Sequence, residues 1–321
     1  KTRYYPVELS GVIREIKSSS GKYAVIGIPS FITSLRLLCL QDSDLKDRLK
    51  YFVALICGHQ KSSRFADAMA WQVGIKPGML TDIDFRKKIR GSPAWDYGVE
   101  LTGIVDGKSL TVVKKAKEFM GQDWGMGFFK SLSSDYTDDV FGETADITLG
   151  DAWLPEYAND SDGNNVAIVR NLVVNELIRD AVNIGNLRLD VASPDMIFRS
   201  QESHYKHTHD ELSYRLYKMD RRGKWRPNKR VKASGNLPYI RRKIQDLRGI
   251  ISRESHSIFK AAVDRNDFDY FSAQMSLLCE KYKRYYRILD YQRIGLWGCV
   301  KMGIKKTLRA LGFSRKKTKI G

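Results

Sequence analysis

Four short loops carry most of the residues whose types and spacing could bind or transform a ligand: Gly27-Ile28-Pro29-Ser30, Cys57-Gly58-His59-Gln60-Lys61-Ser62, Gly150-Asp151-Ala152-Trp153-Leu154-Pro155 and Gly163-Asn164-Asn165. A glycine at a strand-to-helix turn lets backbone approach a phosphate closely, and this is open to Gly27 with Ser30 behind it. Lys61 and Ser62 stand where the next helix should open, and a helix start favours anions. His59 is the histidine of these loops; it could donate a proton or orient a ring, or be an ordinary polar loop residue. Ser30 and Ser62 also read as N-caps and Asp151 as a turn residue. The carboxylates Asp138, Asp139 and Glu143 sit together without a spacing that assigns acid and base roles. The chain holds no G-x-S-x-G nucleophile elbow and no Walker A loop.

The elements that must position these loops follow from apolar periodicity. Pro6–Ser18 reads as a helix. Tyr23–Ile28 (YAVIGI) reads as a buried strand, Ile32–Leu40 as a helix, and Tyr51–Cys57 (YFVALIC) as a second buried strand before a helix from Ser62 to about Val73. Two consecutive strand–helix units predict an α/β core with parallel strands, whose carboxyl ends are where open sheets bind ligands. Leu80–Arg86, Tyr97–Ile104 and Ser109–Val113 are β-rich and predict antiparallel additions to that sheet. Ala145–Leu149 and Asn165–Arg170 are two further strands, and helices dominate from Val173 onward. The predicted class is α/β with α+β character: a mixed sheet followed by a mostly helical, basic C-terminal region.

Charge divides the chain at the same place. The net charge is +18 over 321 residues, but residues 221–321 hold 27 Lys and Arg against 7 Asp and Glu, leaving 28 basic and 30 acidic residues in 1–220. An α/β domain over 1–220, a basic linker over 221–238 (WRPNKRVKASGNLP lies within it) and a helical basic appendage over 239–321 are therefore expected. Any anionic partner belongs to the appendage. In Ile294–Ile320, Ile294, Trp297, Ile304, Leu308 and Leu311 recur at helical spacing opposite Lys and Arg. That pattern fits a helix lying in an anionic membrane surface, and fits rather better one packing its apolar side on the domain. Tyr282, Tyr285 and Tyr286 interleave with basic residues, but no nucleic-acid motif accompanies them, so nucleic acid is disfavoured. A homo-oligomer is compatible with the sequence. No apolar run approaches the roughly 18 residues of a membrane span, and four scattered cysteines fit a reducing compartment, so a cytoplasmic location, peripheral at the inner membrane face, is expected. The start at Lys1 reads as an excerpt or a processed product.

Taken in order, the four loops and their strands resemble a specific family. A strand with G-x-P-C, a strand with C-(H/G), A-D-I-(S/T)-x-G-D and G-x-N-x-x-I-V-R is similar to the coenzyme F420 hydrogenase/dehydrogenase beta-subunit family. The likeness spans roughly Tyr4–Arg230, and Asp138–Tyr157 (DDVFGETADITLGDAWLPEY) is its most specific stretch. With RYYPVE near the start and RFADAMAWQ after the second loop, the form resembles a bacterial branch associated with polysaccharide biosynthesis. The resemblance implies FAD and a 4Fe–4S cluster, and hydride exchange between a carrier (deazaflavin or nicotinamide) and an organic substrate.

The departures bear on the cluster. Ser30 stands where the family has the Cys of G-x-P-C, and Ser134-Asp135-Tyr136-Thr137 stands where the branch has C-D-Y-C. Only Cys57 remains of the positions matched to cluster ligation, and a hydroxyl does not replace a soft thiolate on iron. Cys39, Cys279 and Cys299 are expected in apolar packing. The flavin is then the expected cofactor, with Gly27, Ser30, Gly58, Ser62, Gly150, Asp151, Asn164 and Asn165 as binding residues, His59 and Lys61 as catalytic ones, and no metal site. A degenerate, redox-inactive member acting as a scaffold or partner-binding protein is the second reading. His204-Tyr205-Lys206-His207-Thr208-His209 is not a helix-face ligand set, since His209 points away from the other two, and it is expected as a solvated helix start.

Overall fold

The computed structural model describes residues 7–310, with side chains through residue 295. Helix α1 (Ser10–Ser18) leads into strand β1 (Tyr23–Gly27) and helix α2 (Pro29–Gln41), whose Pro29 occupies the first turn, where a missing N–H costs nothing. Helix α3 (Ser43–Arg48) begins where the Asp42 side chain accepts the Leu45 N–H, and runs directly into β2 (Leu49–Leu55). Helix α4 (Arg64–Trp71) follows the Cys57–Ser62 loop, with six of its residues buried.

Strands β3 (Leu80–Lys87), β4 (Gly98–Val105) and β5 (Lys108–Lys115) do not extend the first sheet. They form a three-stranded antiparallel sheet of their own, corrected here from the expectation of added strands. Asp106 and Gly107 both hold positive φ, the type I′ geometry that joins β4 to β5 in two residues. The first sheet is completed by β6 (Ile147–Asp151) and β7 (Asn165–Val169) in the order β1-β2-β6-β7. β1, β2 and β6 are parallel and β7 is antiparallel to β6, so the sheet is mixed, as expected. Asp146 locks β6 to its neighbours: one oxygen accepts the Phe52 N–H at 2.7 Å and the Arg36 guanidinium at 2.9 Å, the other the Asn171 amide at 3.0 Å.

Helices α5 (Leu172–Asn183), α6 (Pro194–Ser200), α7 (Glu202–Thr208) and α8 (Asp210–Arg221) precede a non-helical stretch up to Pro238. Two long helices follow, α9 (Tyr239–Arg265) and α10 (Phe268–Ala310), the latter broken at Gly295 with φ of 68°. One apolar face of each is core. Ile244, Leu247, Ile251 and Phe259 of α9 and Phe271, Met275, Cys279 and Tyr282 of α10 pack in one cluster with Phe65, Trp71, Phe85, Leu101 and Phe129. A separate cluster under the first sheet joins Ile16, Val25, Ile32, Leu35, Leu45 and Phe52. The basic helices and the second sheet therefore share a core, and the interleaved Tyr282 is buried in it. No helix among the described residues is long and apolar enough to cross a membrane. The Trp297–Leu311 pattern, Cys299 and the RYYP start lie outside the described residues or side chains.

Candidate functional site

Parallel pairing of β2 with β6 (Ala54 opposite Thr148, Leu55 opposite Leu149) delivers the Cys57 loop and the Asp151 loop side by side at the carboxyl end of the sheet. There they border a cavity of about 920 Å³, within the range of about 300–1,000 Å³ usual for small-ligand sites. Helices α7 and α8 and the inward sides of α9 and α10 close it. Cys57, Gly58, His59 and Asp151 all line it, as the strand-end rule predicts.

One wall is aromatic and cationic. Arg86, from the end of β3, donates to the Asp151 carboxylate at 2.7 Å, and its guanidinium carbon lies 5.2 Å from the Tyr97 ring centre and 5.5 Å from that of Trp153. Opposite, the His59 ring stands 4.8 Å from Trp124. Lys61 lies behind that pair. Its Nζ donates to the Phe128 carbonyl at 2.8 Å and sits 4.3 Å over Phe65 and 4.7 Å over Trp124. Burial, reinforced by the charge of Lys130, lowers the Lys61 pKa to about 7. Lys130, paired with Asp135, is lowered to about 8, again chiefly by burial. His59 is held well below the usual histidine range by burial, then by the nearby Lys61, Lys130 and Arg248, so it is neutral at physiological pH.

The inner wall is a charge network that sequence reading missed. Glu211 is 2% exposed. Its carboxylate accepts from Gln245 at 2.6 Å and Arg248 at 3.3 Å, pairs with Arg241, and lies 3.1 Å from Nδ1 of His207. Arg215 donates to the Gln245 side-chain oxygen at 3.1 Å and to the His207 carbonyl at 2.9 Å. Burial lowers the Arg215 pKa to about 10, which leaves it charged, and keeps His207 neutral. The His204–His209 run is therefore not a solvated helix start. His207 is buried, His204 is half-buried against Gly58, and the His209 ring stacks on Tyr205 at 3.9 Å. The tie of Gln201 to the Asp151 carbonyl and of His207 to Glu211 of α8 turns the shared face of His204 and His207 inward. The spacing His207-x-x-x-Glu211 was the available signal.

Hydrogen bonds tie α7 to the sheet. Gln201 donates to the Asp151 carbonyl at 2.7 Å and accepts from Nδ1 of His204 at 3.1 Å. Gly58 leaves room for the His204 ring, since a Cβ would stand 3.1 Å from its Nε2 and press on it.

The other expected residues are placed elsewhere. Gly27 and Ser30 lie at the same sheet end but do not line the cavity, and the space a Gly27 Cβ would take is bounded at 3.3 Å by Phe31 of α2. A Gly150 Cβ would meet Ile56 at 2.6 Å, so that glycine serves strand packing. Asn164 donates to the Tyr157 carbonyl and Asn165 opens β7, both away from the cavity lining. Ser62 is placed behind the wall with Lys61, its N–H bonded to the Phe129 carbonyl.

The residues present do not fit a four-cysteine iron–sulfur cluster. Cys57 alone of the described cysteines reaches the cavity; its thiol donates to the His59 carbonyl at 3.6 Å and burial raises its pKa, so it is held protonated. Cys39 and Cys279 are buried in two different apolar clusters. The Ser134 hydroxyl is already engaged, accepting the Gln60 N–H at 3.0 Å. Among the described residues no group of three or more His, Cys, Asp or Glu side chains could hold a metal.

The α/β fold thus carries a strand-end cavity lined by aromatic, arginine and neutral histidine side chains. Residues 20–195 match the family described as the C terminus of the coenzyme F420 hydrogenase/dehydrogenase beta subunit; the chain belongs to this family and is an F420 hydrogenase beta-subunit-like redox protein. Among solved structures it is similar to a chain of the F420-reducing NiFe hydrogenase complex from Methanosarcina barkeri, at 16% identity and a TM-score of 0.46, over 71% of this chain and 72% of that one. Comparison with curated proteins gives no match.

Proposed function

We propose that the chain is an FAD-dependent oxidoreductase that moves hydride between a reduced carrier, deazaflavin or nicotinamide, and an organic substrate, with the flavin ring in the 920 Å³ cavity. The observation that carries this reading is the cavity lining. Trp124, Trp153 and Tyr97 offer faces for a planar ring. Arg86, beside the Tyr97 and Trp153 rings, supplies positive charge that favours a reduced, anionic flavin. The bound flavin supplies the hydride chemistry; this chain's residues bind it, orient it and exclude water. Neutral His59 and His207, each with Nε2 unpartnered, stand ready to share a proton with a ligand. Loss of the cluster ligands biases the site toward two-electron transfer.

The setting we infer is cell-envelope polysaccharide biosynthesis, on the resemblance of Asp138–Tyr157 together with RYYPVE and RFADAMAWQ. Association of the basic C-terminal region with the inner membrane surface is part of the same proposal, supported by its +20 charge.

The test is anaerobic. The protein is reconstituted with FAD, then mixed with NADH, NADPH or reduced F420, and bleaching of the flavin absorbance is followed. Bleaching by one donor supports the reading. A colourless chain that takes up no FAD contradicts it and favours a redox-inactive scaffold.

A further inference from the structure

Around the inner end of the cavity three arginines and two lysines, Lys61 partly neutralised by its burial, meet two carboxylates. Lys130 and Arg215 share Asp135, and Arg241 and Arg248 share Glu211. Lys61 spends its ammonium on a carbonyl, with the more distant, exposed Asp123 only moderating its charge. Lys61, Lys130 and Arg248 are each more than nine-tenths buried. A positive surplus removed from water is costly unless an anion answers it.

Unmet hydrogen-bonding capacity lies at the same place. Nε of Arg248, Nε2 of His59 and Nε2 of His207 are buried with no partner, on three residues that line the cavity and are each more than nine-tenths buried. The Arg248 Nε–H is donor only, so what completes it is an acceptor. The three residues lie within electrostatic reach of one another: Arg248 disfavours the charged form of both histidines, and His59 that of His207. The unmet Arg248 donor, the His59 ring with Trp124 beside it, and the surplus charge thus lie at one end of the cavity, while Tyr97, Trp153 and the Arg86–Asp151 pair occupy the other wall.

We propose that this inner end is an oxyanion subsite, in which Arg248 and His59 hold a phosphate or carboxylate group of the bound ligand. The proposal rests on the cavity being the ligand site, and names the chemistry that end selects. Neutral ligands of the same size lack the group that Arg248 and the buried cations require. Whether the oxyanion is the flavin's own phosphate or belongs to a second ligand is settled by competition.

Inorganic pyrophosphate is the probe, measured by equilibrium dialysis against the full chain. The parent should bind it saturably. Arg248→Gln and His59→Asn should each weaken binding by about tenfold or more, the factor for losing a charge-assisted hydrogen bond. Arg230→Gln, in the pair with Glu143 at a second cavity, should leave it unchanged. No binding by the parent, or equal binding by the folded Arg248→Gln and His59→Asn variants, overturns the subsite. Should those variants fail to fold, the ring nitrogen resonances of His59 and His207 in the parent decide: they shift with pyrophosphate if the subsite exists and stay fixed if it does not. Displacement of pyrophosphate by FAD assigns the subsite to the flavin phosphates, and joint binding assigns it to a second ligand. Binding of pyrophosphate by a chain that takes up no FAD retains the subsite while rejecting the flavin reading.

Discussion

Two carboxylate–arginine contacts in this protein resemble each other on paper and should differ greatly when cut. Glu211, 2% exposed, answers Arg241 and Arg248 and accepts from Gln245; Glu143 makes a two-pronged pair with Arg230 in which both side chains are 50% exposed. Glu211→Gln keeps the shape but strands two guanidinium groups, one of them buried. Breaking a buried ion pair by removing one partner costs about 3–5 kcal/mol. Glu143→Gln leaves both ends in water, where an ion pair contributes about 0–1 kcal/mol. At roughly 2–4 °C per kcal/mol, Glu211→Gln should lower Tm by roughly 6–20 °C and Glu143→Gln by about 4 °C or less. Urea unfolding with an unchanged m-value confirms that the native state, not the unfolded chain, was altered. Equal, small losses for the two variants would falsify the description of Glu211 as the anchor of a buried network.

Lys61 gives a pH signature. Its folded pKa of about 7 lies below the unfolded value of about 10.4, so between those values the unfolded chain holds a proton the folded one lacks, and stability from this group rises with pH. Lys61→Met removes that rise: the variant-minus-parent stability difference should fall from pH 7 towards pH 10, and a flat difference refutes the burial of an ionisable lysine there. Anaerobically purified protein should contain no stoichiometric iron or acid-labile sulfide; four iron atoms per chain would reverse the account of Cys57, Ser30 and Ser134. The intact chain should sediment with anionic vesicles, less so as salt is raised, and truncation after Gly295 should abolish sedimentation while leaving FAD uptake intact, since the cavity lining ends at Arg293.

Much of the sheet was legible because buried strands are short apolar runs bounded by turns. YAVIG and the centre of LKYFVAL were found on that ground, and their parallel pairing followed from the intervening helix. By the strand-end rule Cys57, Gly58, His59 and Asp151 lie at the carboxyl end of the sheet, and they line the cavity. Gly27 and Ser30 share that sheet end without lining it, because every parallel strand offers a carboxyl end while the cavity forms where α7, α8 and α9 lie over β2 and β6. Arg86, Trp124 and Arg248 were not legible: they come from a second sheet, a 3-10 turn and a distant helix, and only tertiary packing brings them together. The separate sheet went unforeseen because alternation reports a half-buried strand, not the sheet it joins. The +20 charge drew attention to solvent, whereas Ile244, Leu247, Ile251 and Phe259 show the inward face of the same basic helices.

The central claim is that the cavity between the Cys57 and Asp151 loops holds FAD. Its most direct test is an equilibrium titration of the chain with FAD, followed by flavin absorbance and tryptophan fluorescence, for the parent and Trp153→Ala together. Trp153 is exposed at the cavity wall, so its truncation should spare the fold. The account predicts one FAD bound per parent chain with tryptophan quenching, and clearly weaker binding by Trp153→Ala. A parent that binds no FAD, or a variant that binds it as tightly as the parent, contradicts the account.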